Sequence, residues 1–336
     1  MRTTTTRARF AAGVAAAALL TATAGCATAG APIEAPTGAT PTAPPISGPV
    51  DLPVAVGRDL WVGGERVPGR WWSAEGRGTH WIALRDDRTW WWGYDQQPHR
   101  IDGQVDQSVV ISPSGGYTAH VQSDMRNGWT LVGADTEWGG EGFGGLELPR
   151  GAMSPAPRAV AVTDDGLVVA RGPRFQWLWR PLVDGGSVDL AETAPGQVVL
   201  DGTDAGLVVN EGGYDRTDGQ QGAPYLARLA ADGALTRLGP VPTHDALEAS
   251  EQWLAYVPPG TLGGEALGAD ELQVQRLDGS DPGVLAAPDG WRFDDTDMHW
   301  EAPDELLAVL VADDGEEALA LCRPARETCE LIDLPD

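Results

Sequence analysis

Three neighbouring aspartates, Asp294, Asp295 and Asp297, carry the side chains in this sequence that best suit a hard metal ion. Carboxylate oxygens bind Ca²⁺, but their spacing is not that of an EF-hand loop, and a solvated acidic loop explains the same residues. The histidines are scattered without ligand spacing and are His80, His99, His120, His244 and His299. We therefore predict no cofactor, with Ca²⁺ at the acidic loop as the open alternative.

The residue types and motifs of this sequence do not favour nucleophilic catalysis. All 23 basic residues are arginine, which excludes any mechanism that needs a neutral or Schiff-base lysine. The motifs GxSxG, SxxK and HExxH are absent. We predict no catalytic residue and favour a binding protein over an enzyme. A glycan hydrolase or lyase stays open as the alternative, and it would need two carboxylates converging within about 5–10 Å.

Two cysteines, Cys322 and Cys329, flank the sequence RPARET near the end of the chain. If the strands on either side of this turn pair, the two cysteines lie opposite each other within reach of a disulfide. Such a bond persists in an oxidising compartment. We predict a disulfide, against the alternatives of two free thiols or half of a metal site.

The first 25 residues have the pattern of an export signal. Arginines near the start precede an apolar core of 11 residues, Phe10 to Leu20, which is too short to span a bilayer. The following Thr23-Ala24-Gly25-Cys26 resembles the bacterial lipobox, although Thr23 replaces the usual aliphatic residue. The resemblance implies lipidation of Cys26 and an anchor on the extracytoplasmic face of the cell membrane. An ordinary secretory signal, with Cys26 incidental, is the alternative.

Residues 26–50 are rich in Ala, Pro, Thr and Gly and contain one charged residue. Such a segment buries too little apolar surface to offset the entropy of ordering. We predict a disordered linker that reaches roughly 25–30 Å and lifts the following domain off the membrane. An arm packed on the domain is the alternative.

The sequence VISPSGGYTAHV, residues 110–121, belongs to a repeated pattern. A short apolar run, a polar turn and an alternating strand recur in RAVAVTDDGLVVAR, VVLDGTDAGLVVN, ALEASEQWLAYV and MHWEAPDELLAVLV, with a degenerate copy in WWSAEGRGTHWIAL. A second hairpin follows each copy, often with Asp-Gly at the turn. Successive turns are separated by 51, 39, 48 and 52 residues. This period, with four strands per unit, is typical of a β-propeller blade.

Six pairs of hairpins cover residues 71 to 334, so we predict an all-β propeller of six four-stranded blades over residues 51–336. Residues 54–67 form a further hairpin with a Gly-Gly turn. This hairpin could complete a sheet at the closure of the ring, or it could belong to an incomplete seventh blade. Seven blades are therefore the alternative.

The phrase ISPSGGYTAHV resembles the SPDGKYLAYV phrase of TolB-type and WD-repeat-like propellers. The layout as a whole resembles propeller lipoproteins of high-GC bacteria. This resemblance implies a fold and no reaction. No TolB-like N-terminal domain is visible, so the partners of that family do not carry over.

Binding is expected where long loops emerge from the ring. The loops joining second to third strands share one face of a propeller with the loops between blades, and two of the former are long here, at 211–224 and 258–271. The interblade loop 289–297 belongs to the same rim. The candidate ligand-binding residues are Tyr214, Asp215, Arg216, Trp291, Arg292 and Asp294.

The formal net charge of −26 repels phosphate backbones, so nucleic acid is excluded as an expected partner. We expect a monomeric, membrane-tethered binding or scaffold domain. Aromatic, carboxylate and arginine side chains on the rim suit a protein, peptide or glycan ligand.

Overall fold

The chain folds as an all-β propeller in a computed structural model. The structure describes residues 46–47, 50, 52–102, 105–124, 128–135, 142–148, 157–163, 166–170, 176–180, 184–211, 223–261 and 268–334. The strands of these residues form seven separate antiparallel sheets, which we number as blades 1 to 7 along the chain. Among the helices of these residues, none has the length and apolar character needed to cross a bilayer.

The first four blades take up the chain as far as residue 189. Blade 1 contains β2 (Val54–Val56), β3 (Asp59–Val62) and β4 (Glu65–Val67). Blade 2 contains β5 (Trp71–Arg77), β6 (His80–Arg85), β7 (Trp90–Tyr94) and β8 (Gln97–Arg100). Blade 3 contains β9 (Val105–Ile111), β10 (Tyr117–Asp124), β11 (Gly128–Asp135) and β12 (Gly142–Glu147). Blade 4 contains β13 (Arg158–Thr163), β14 (Gly166–Ala170), β15 (Gln176–Arg180) and β16 (Gly186–Asp189).

A one-turn helix, α1 (Leu190–Thr193), leads into the last three blades. Blade 5 contains β17 (Gln197–Thr203), β18 (Gly206–Glu211), β19 (Pro224–Leu229) and β20 (Leu235–Pro240). Blade 6 contains β21 (Ala246–Ala249), β22 (Trp253–Val257), β23 (Glu271–Arg276) and β24 (Gly283–Ala286). Blade 7 contains β25 (Trp291–Ala302), β26 (Glu305–Ala312), β27 (Glu317–Arg323) and β28 (Thr328–Asp333), with β1 (Ile46–Ser47) parallel to β28 at its edge.

The prediction of six blades is wrong, and the alternative of seven is correct. Residues 54–67 pair only among themselves, as the three-stranded blade 1, and do not complete another sheet. The described residues contain seven buried apolar clusters, one for each interface between adjacent blades. Blade 1 contributes to two of them, through Val54 against Leu307 of blade 7 and through Leu60 against Trp71 of blade 2. Each sheet therefore hides its apolar faces against its neighbours.

Blade 1 does not show the repeated sequence pattern, because it lacks a strand that runs in the direction of the first strands of the other blades. The end of β2 lies beside the start of β5, where the Trp71 N–H donates to the Arg58 carbonyl at 2.9 Å. The start of β2 lies beside the end of β5, where Pro53 packs against Gly76. The strand β2 is therefore antiparallel to β5.

The two ends of the ring carry different connections. We call the end with the turns between the first and second strands of blades 2 to 7 the hairpin end. The opposite end, with the second-to-third and interblade connections and the reversed β2–β3 turn of blade 1, is the rim end. Blades 6 and 7 meet at the hairpin end, where the Ser250 hydroxyl donates to the Pro303 carbonyl at 2.8 Å. At the rim end, the Ala269 N–H donates to the Phe293 carbonyl at 2.9 Å.

The ring closes between blades 7 and 1. The strand β1 and the buried Val50 lie within the segment for which the sequence predicts a linker, and they pack on this closure. In blade 7, Cys322 and Cys329 lie directly opposite each other on β27 and β28 and are joined in a disulfide. Its small loop, with a sequence separation of 7, limits the entropic stabilisation to about 2–3 kcal/mol.

Candidate functional site

The central channel is lined by the first strands of blades 2 to 7. Towards the hairpin end the channel encloses a cavity of about 70 Å³, counted as the volume open to the centre of a water molecule. This is room for a few waters or a small group and not for a sugar chain. The charged and titratable residues that line the cavity are Glu75, Arg77, Asp201, Asp204, Glu248 and His299.

Arg77, at the end of β5, crosses the channel. Its guanidinium forms an ion pair with Asp204 of blade 5 and donates to the Trp300 carbonyl of blade 7. Burial lowers the pKa of Arg77 below its ordinary value, and the negative charge of Glu248 opposes that shift. One side chain thus ties blades 2, 5 and 7 together and closes the channel towards the hairpin end.

We expect Arg77→Met to lower the free energy of unfolding by about 2 kcal/mol. The substitution keeps the apolar stem but leaves the half-buried Asp204 carboxylate without its ion pair. Urea unfolding followed by tryptophan fluorescence measures the change in midpoint. The side chains of this pair are 24% and 27% exposed, so solvent screens their attraction only partly.

The matched control is Arg66→Met, because the Arg66 side chain is 60% exposed where it pairs with Asp59 at 2.6 Å. Exposed pairs contribute little, so this variant should stay within about 0.5 kcal/mol of the parent. Equal midpoints for Arg66→Met and Arg77→Met would show that Arg77 does not brace the channel.

The carboxylates around Arg77 give the cavity an acidic lining. Glu75, Asp201 and Glu248 come from three different first strands, and Glu248 is buried. Carboxylates from separate strands at one cavity are the groups that general acid–base chemistry would use, and they also attract cations. No set of three histidines, cysteines or carboxylates suited to a metal ion occurs among the described residues.

The predicted rim residues that the structure describes are Trp291, Arg292 and Asp294, and they lie towards the opposite end of the ring from this cavity. Arg292, at the start of β25, bridges two loops, with Nε 3.0 Å from Asp270 Oδ1 and Nη1 2.8 Å from Asp313 Oδ1. The bond to Asp270, followed by the charge of Asp313, raises the pKa of Arg292. The structure therefore places Asp270, just before β23, and Asp313, in the turn between β26 and β27, beside the start of β25.

The remaining predicted rim residues fall into two groups. Trp291 is half-buried against the core between blades 6 and 7, so it has a packing role. Asp294 is half-buried in the segment where β25 loses register with β26, between Phe293 and Met298. The side chains of Asp295 and Asp297 lie outside the described residues, as do Tyr214, Asp215, Arg216 and Cys26. The Ca²⁺ alternative, the long-loop ligand residues and the lipid anchor thus stay predictions.

The residues predicted from the sequence do not include those of the channel. A signal was present, since Glu75, Asp201 and Glu248 are charged residues within the apolar first strands of the repeats. First strands line the axis of a propeller, so a charge in one of them points either into a blade interface or into the channel.

Comparison with known proteins identifies similarity of fold only. No family model matches the chain, and no curated protein matches it. TolB from Acinetobacter baumannii aligns at 13% identity and a TM-score of 0.36 over 69% of this chain and 59% of its own. An acylaminoacyl peptidase from Pyrococcus horikoshii aligns at 14% identity and a TM-score of 0.46, over 77% of this chain and 45% of its own. The Cps50 propeller of Myceliophteria thermophila aligns at 11% identity and a TM-score of 0.40, over 76% of this chain and 98% of its own. The chain thus spans less than two thirds of the first two proteins, and it is a β-propeller with distant similarity to TolB-like and WD40-like propellers.

Proposed function

We propose that this protein is a non-catalytic, membrane-tethered binding or scaffold propeller on the extracytoplasmic face of the cell membrane. Its ligand is a protein, peptide or glycan held at the rim end. The lipobox-like segment at Cys26 and the Pro-rich linker support the tether.

One observation carries the binding role. Arg292 links Asp270, just before β23 of blade 6, and Asp313, in the β26–β27 turn of blade 7, to the start of β25, so the connections at the rim end are joined to the ring by ion pairs. Loops positioned by a rigid scaffold are where binding residues concentrate. At the other end, the channel cation Arg77 is engaged with Asp204 and Trp300, between blades, and it is not presented to a ligand.

The test is photo-cross-linking in cells that produce the full-length protein. A photoreactive side chain at Asp314, exposed on the rim-end loop of blade 7, should give a discrete adduct in the membrane fraction. The same side chain at Asp232, exposed at the hairpin end of blade 5, is the matched control and should give none. The variant Cys26→Ser should release the protein into the medium, whereas Ala27→Ser should not.

Adducts of equal yield at both positions, or at neither, would overturn the rim as the binding face. Retention of Cys26→Ser in the membrane would overturn the anchor. The two results are separate, since one reports the ligand and the other the tether.

A glycan hydrolase or lyase is the second candidate, favoured by the carboxylates that share the channel cavity. Turnover of a glycan by the purified protein, lost in both Glu75→Gln and Glu248→Gln, would establish it in place of the binding role. The small size of the cavity argues against it.

A further inference from the structure

Arginine is concentrated at one place on the rim end. We define the arginine sector as Arg58, Arg70, Arg85, Arg88 and Arg100. These residues lie in the β2–β3 turn, between β4 and β5, at the β6–β7 connection and at the end of β8, all on blades 1 and 2. The connections are tied together by their backbones, since the Asp86 N–H donates to the Arg70 carbonyl at 3.1 Å.

Two guanidinium groups of this sector converge on one oxygen. Arg58 Nη1 lies 3.4 Å from Asp86 Oδ2, and Arg70 Nε lies 2.9 Å from the same atom. The side chains of Arg58 and Arg70 are nevertheless 53% and 69% exposed. Because a guanidinium has five N–H donors, most of their donors face water or a ligand and not Asp86.

Aromatic rings hold the sector in place without cancelling its charge. The Arg85 guanidinium carbon lies 5.2 Å from the Trp71 ring centre and 4.9 Å from that of Trp91, and Arg58 lies 5.6 Å from the Trp72 ring. Such contacts fix a cation but supply no negative charge. The guanidinium groups are thus positioned before any ligand arrives, which lowers the entropic cost of binding.

The sector has an excess of positive charge. Its five arginines outnumber the carboxylates beside them, which are Asp86, Asp87, Asp102 and Glu317, whose side chain accepts from the Gly57 N–H. The nearby Asp59 is paired with Arg66. The hydroxyl of Thr89, followed by weaker effects that include the charges of Arg85 and Arg100, lowers the pKa of Asp87. The rim end of blades 6 and 7 has the opposite character, with the exposed acids Asp270, Asp289, Asp313, Asp314 and Glu316.

We propose that the arginine sector binds a compact oxyanion, phosphate or carboxylate, presented by a partner that is otherwise uncharged. Arginine matches both groups through paired N–H donors. A long polyanion is disfavoured, because it would extend beyond the sector along the surface of a protein of net charge −26. Salt does not screen the resulting repulsion at distances shorter than about 8 Å. The sector borders blade 7, where the Gly57 N–H donates to Glu317 Oε2 at 2.9 Å. Its arginines belong to blades 1 and 2 and are not among the rim residues of the function proposed above, so the two proposals are tested separately.

The test is isothermal titration of the full-length, detergent-solubilised protein with inorganic phosphate and, separately, with acetate. We expect saturable binding of one or both, with a dissociation constant on the order of 1 mM. The double variant Arg58→Gln, Arg70→Gln should weaken it at least tenfold. Arg326→Gln, which removes an exposed arginine at the hairpin end, is the matched control and should bind as the parent does.

Each outcome decides the proposal. Tighter binding of phosphate indicates a phosphoester partner, and tighter binding of acetate indicates a carboxylate partner. Both results support the proposal. Absence of saturable binding, or equal weakening in Arg326→Gln, overturns it. Heparin binding more tightly than phosphate also overturns it, because the sector would then serve a polyanion. Melting temperatures within about 2 °C of the parent show that the variants are folded.

Discussion

Replacing Trp81 by alanine lowers the free energy of unfolding by about 4 kcal/mol, because the indole fills the interface between blades 1 and 2. Trp81 is 0% exposed and meets the Trp71 ring edge-on at 5.5 Å. Its Nε1–H donates to the Asp95 carbonyl at 2.7 Å. Alanine would leave a cavity and an unsatisfied carbonyl at the interface that distinguishes seven blades from six. Chemical unfolding measures the loss.

The matched control is Tyr94→Ala on the adjacent strand, with 47% of the residue exposed, which should cost about 1 kcal/mol or less. A loss for Trp81→Ala no larger than that of the control would mean that blade 1 does not cover blade 2. The ring would then not be closed as described.

The same interface offers a reciprocal check through Gly93, directly opposite Trp81 across β6 and β7. A methyl group at Gly93 would meet the Trp81 indole, so Gly93→Ala should cost about 1–3 kcal/mol. In a Trp81→Leu background that cost should shrink, because the clash is removed. Additive losses would contradict this contact.

Acidification from pH 7 to pH 4 is expected to remove about 3 kcal/mol of stability through one residue, His120. Burial lowers the pKa of His120 from 6.5 to about 4. Between these values the unfolded chain binds a proton that the folded chain does not, so stability is full above pH 6.5 and is lost as pH falls towards 4. The side-chain amide of Gln122 donates to His120 Nε2 at 3.0 Å, an arrangement that protonation would abolish.

The measurement is the urea midpoint between pH 7.5 and pH 4 for the parent and for His120→Leu. In the variant, the urea midpoint should depend less on pH, because the part of that dependence due to His120 is lost. This holds whatever the stability of the variant at pH 7.5. The exposed His99→Leu is the control and should follow the profile of the parent. An unchanged slope in His120→Leu would show that other groups carry the acid sensitivity.

The local pattern of the sequence was sufficient to predict the hairpins. Alternation and turn residues act over two to five positions, so the turn at Ser112 and the strand from Tyr117 are readable without knowing the rest of the fold. The repetition of this unit then predicts a propeller, since one such sheet cannot bury both faces. Topology also places the second-to-third connections of blades 6 and 7 at one end of the ring, where Arg292 contacts Asp270 and Asp313.

The number of blades was decided only by the tertiary structure. Blade 1 has three strands and no first strand in the usual direction, so its sequence carries a hairpin signal but not the repeat signal. Its assignment depends on the apolar side chain of Trp71, which follows blade 1 closely in the chain, and on that of Leu307, which is distant in the sequence and is brought beside blade 1 when the ring closes.

The charged sites were decided in the same way. Arg77 and Asp204 meet across the channel although 127 positions separate them, and Arg58 and Arg70 reach Asp86 from two other connections. The sequence by itself determined which segments become strands and turns, because those preferences are local. Which charges become neighbours was determined by ring closure, because that proximity is set by packing between blades and not by spacing along the chain.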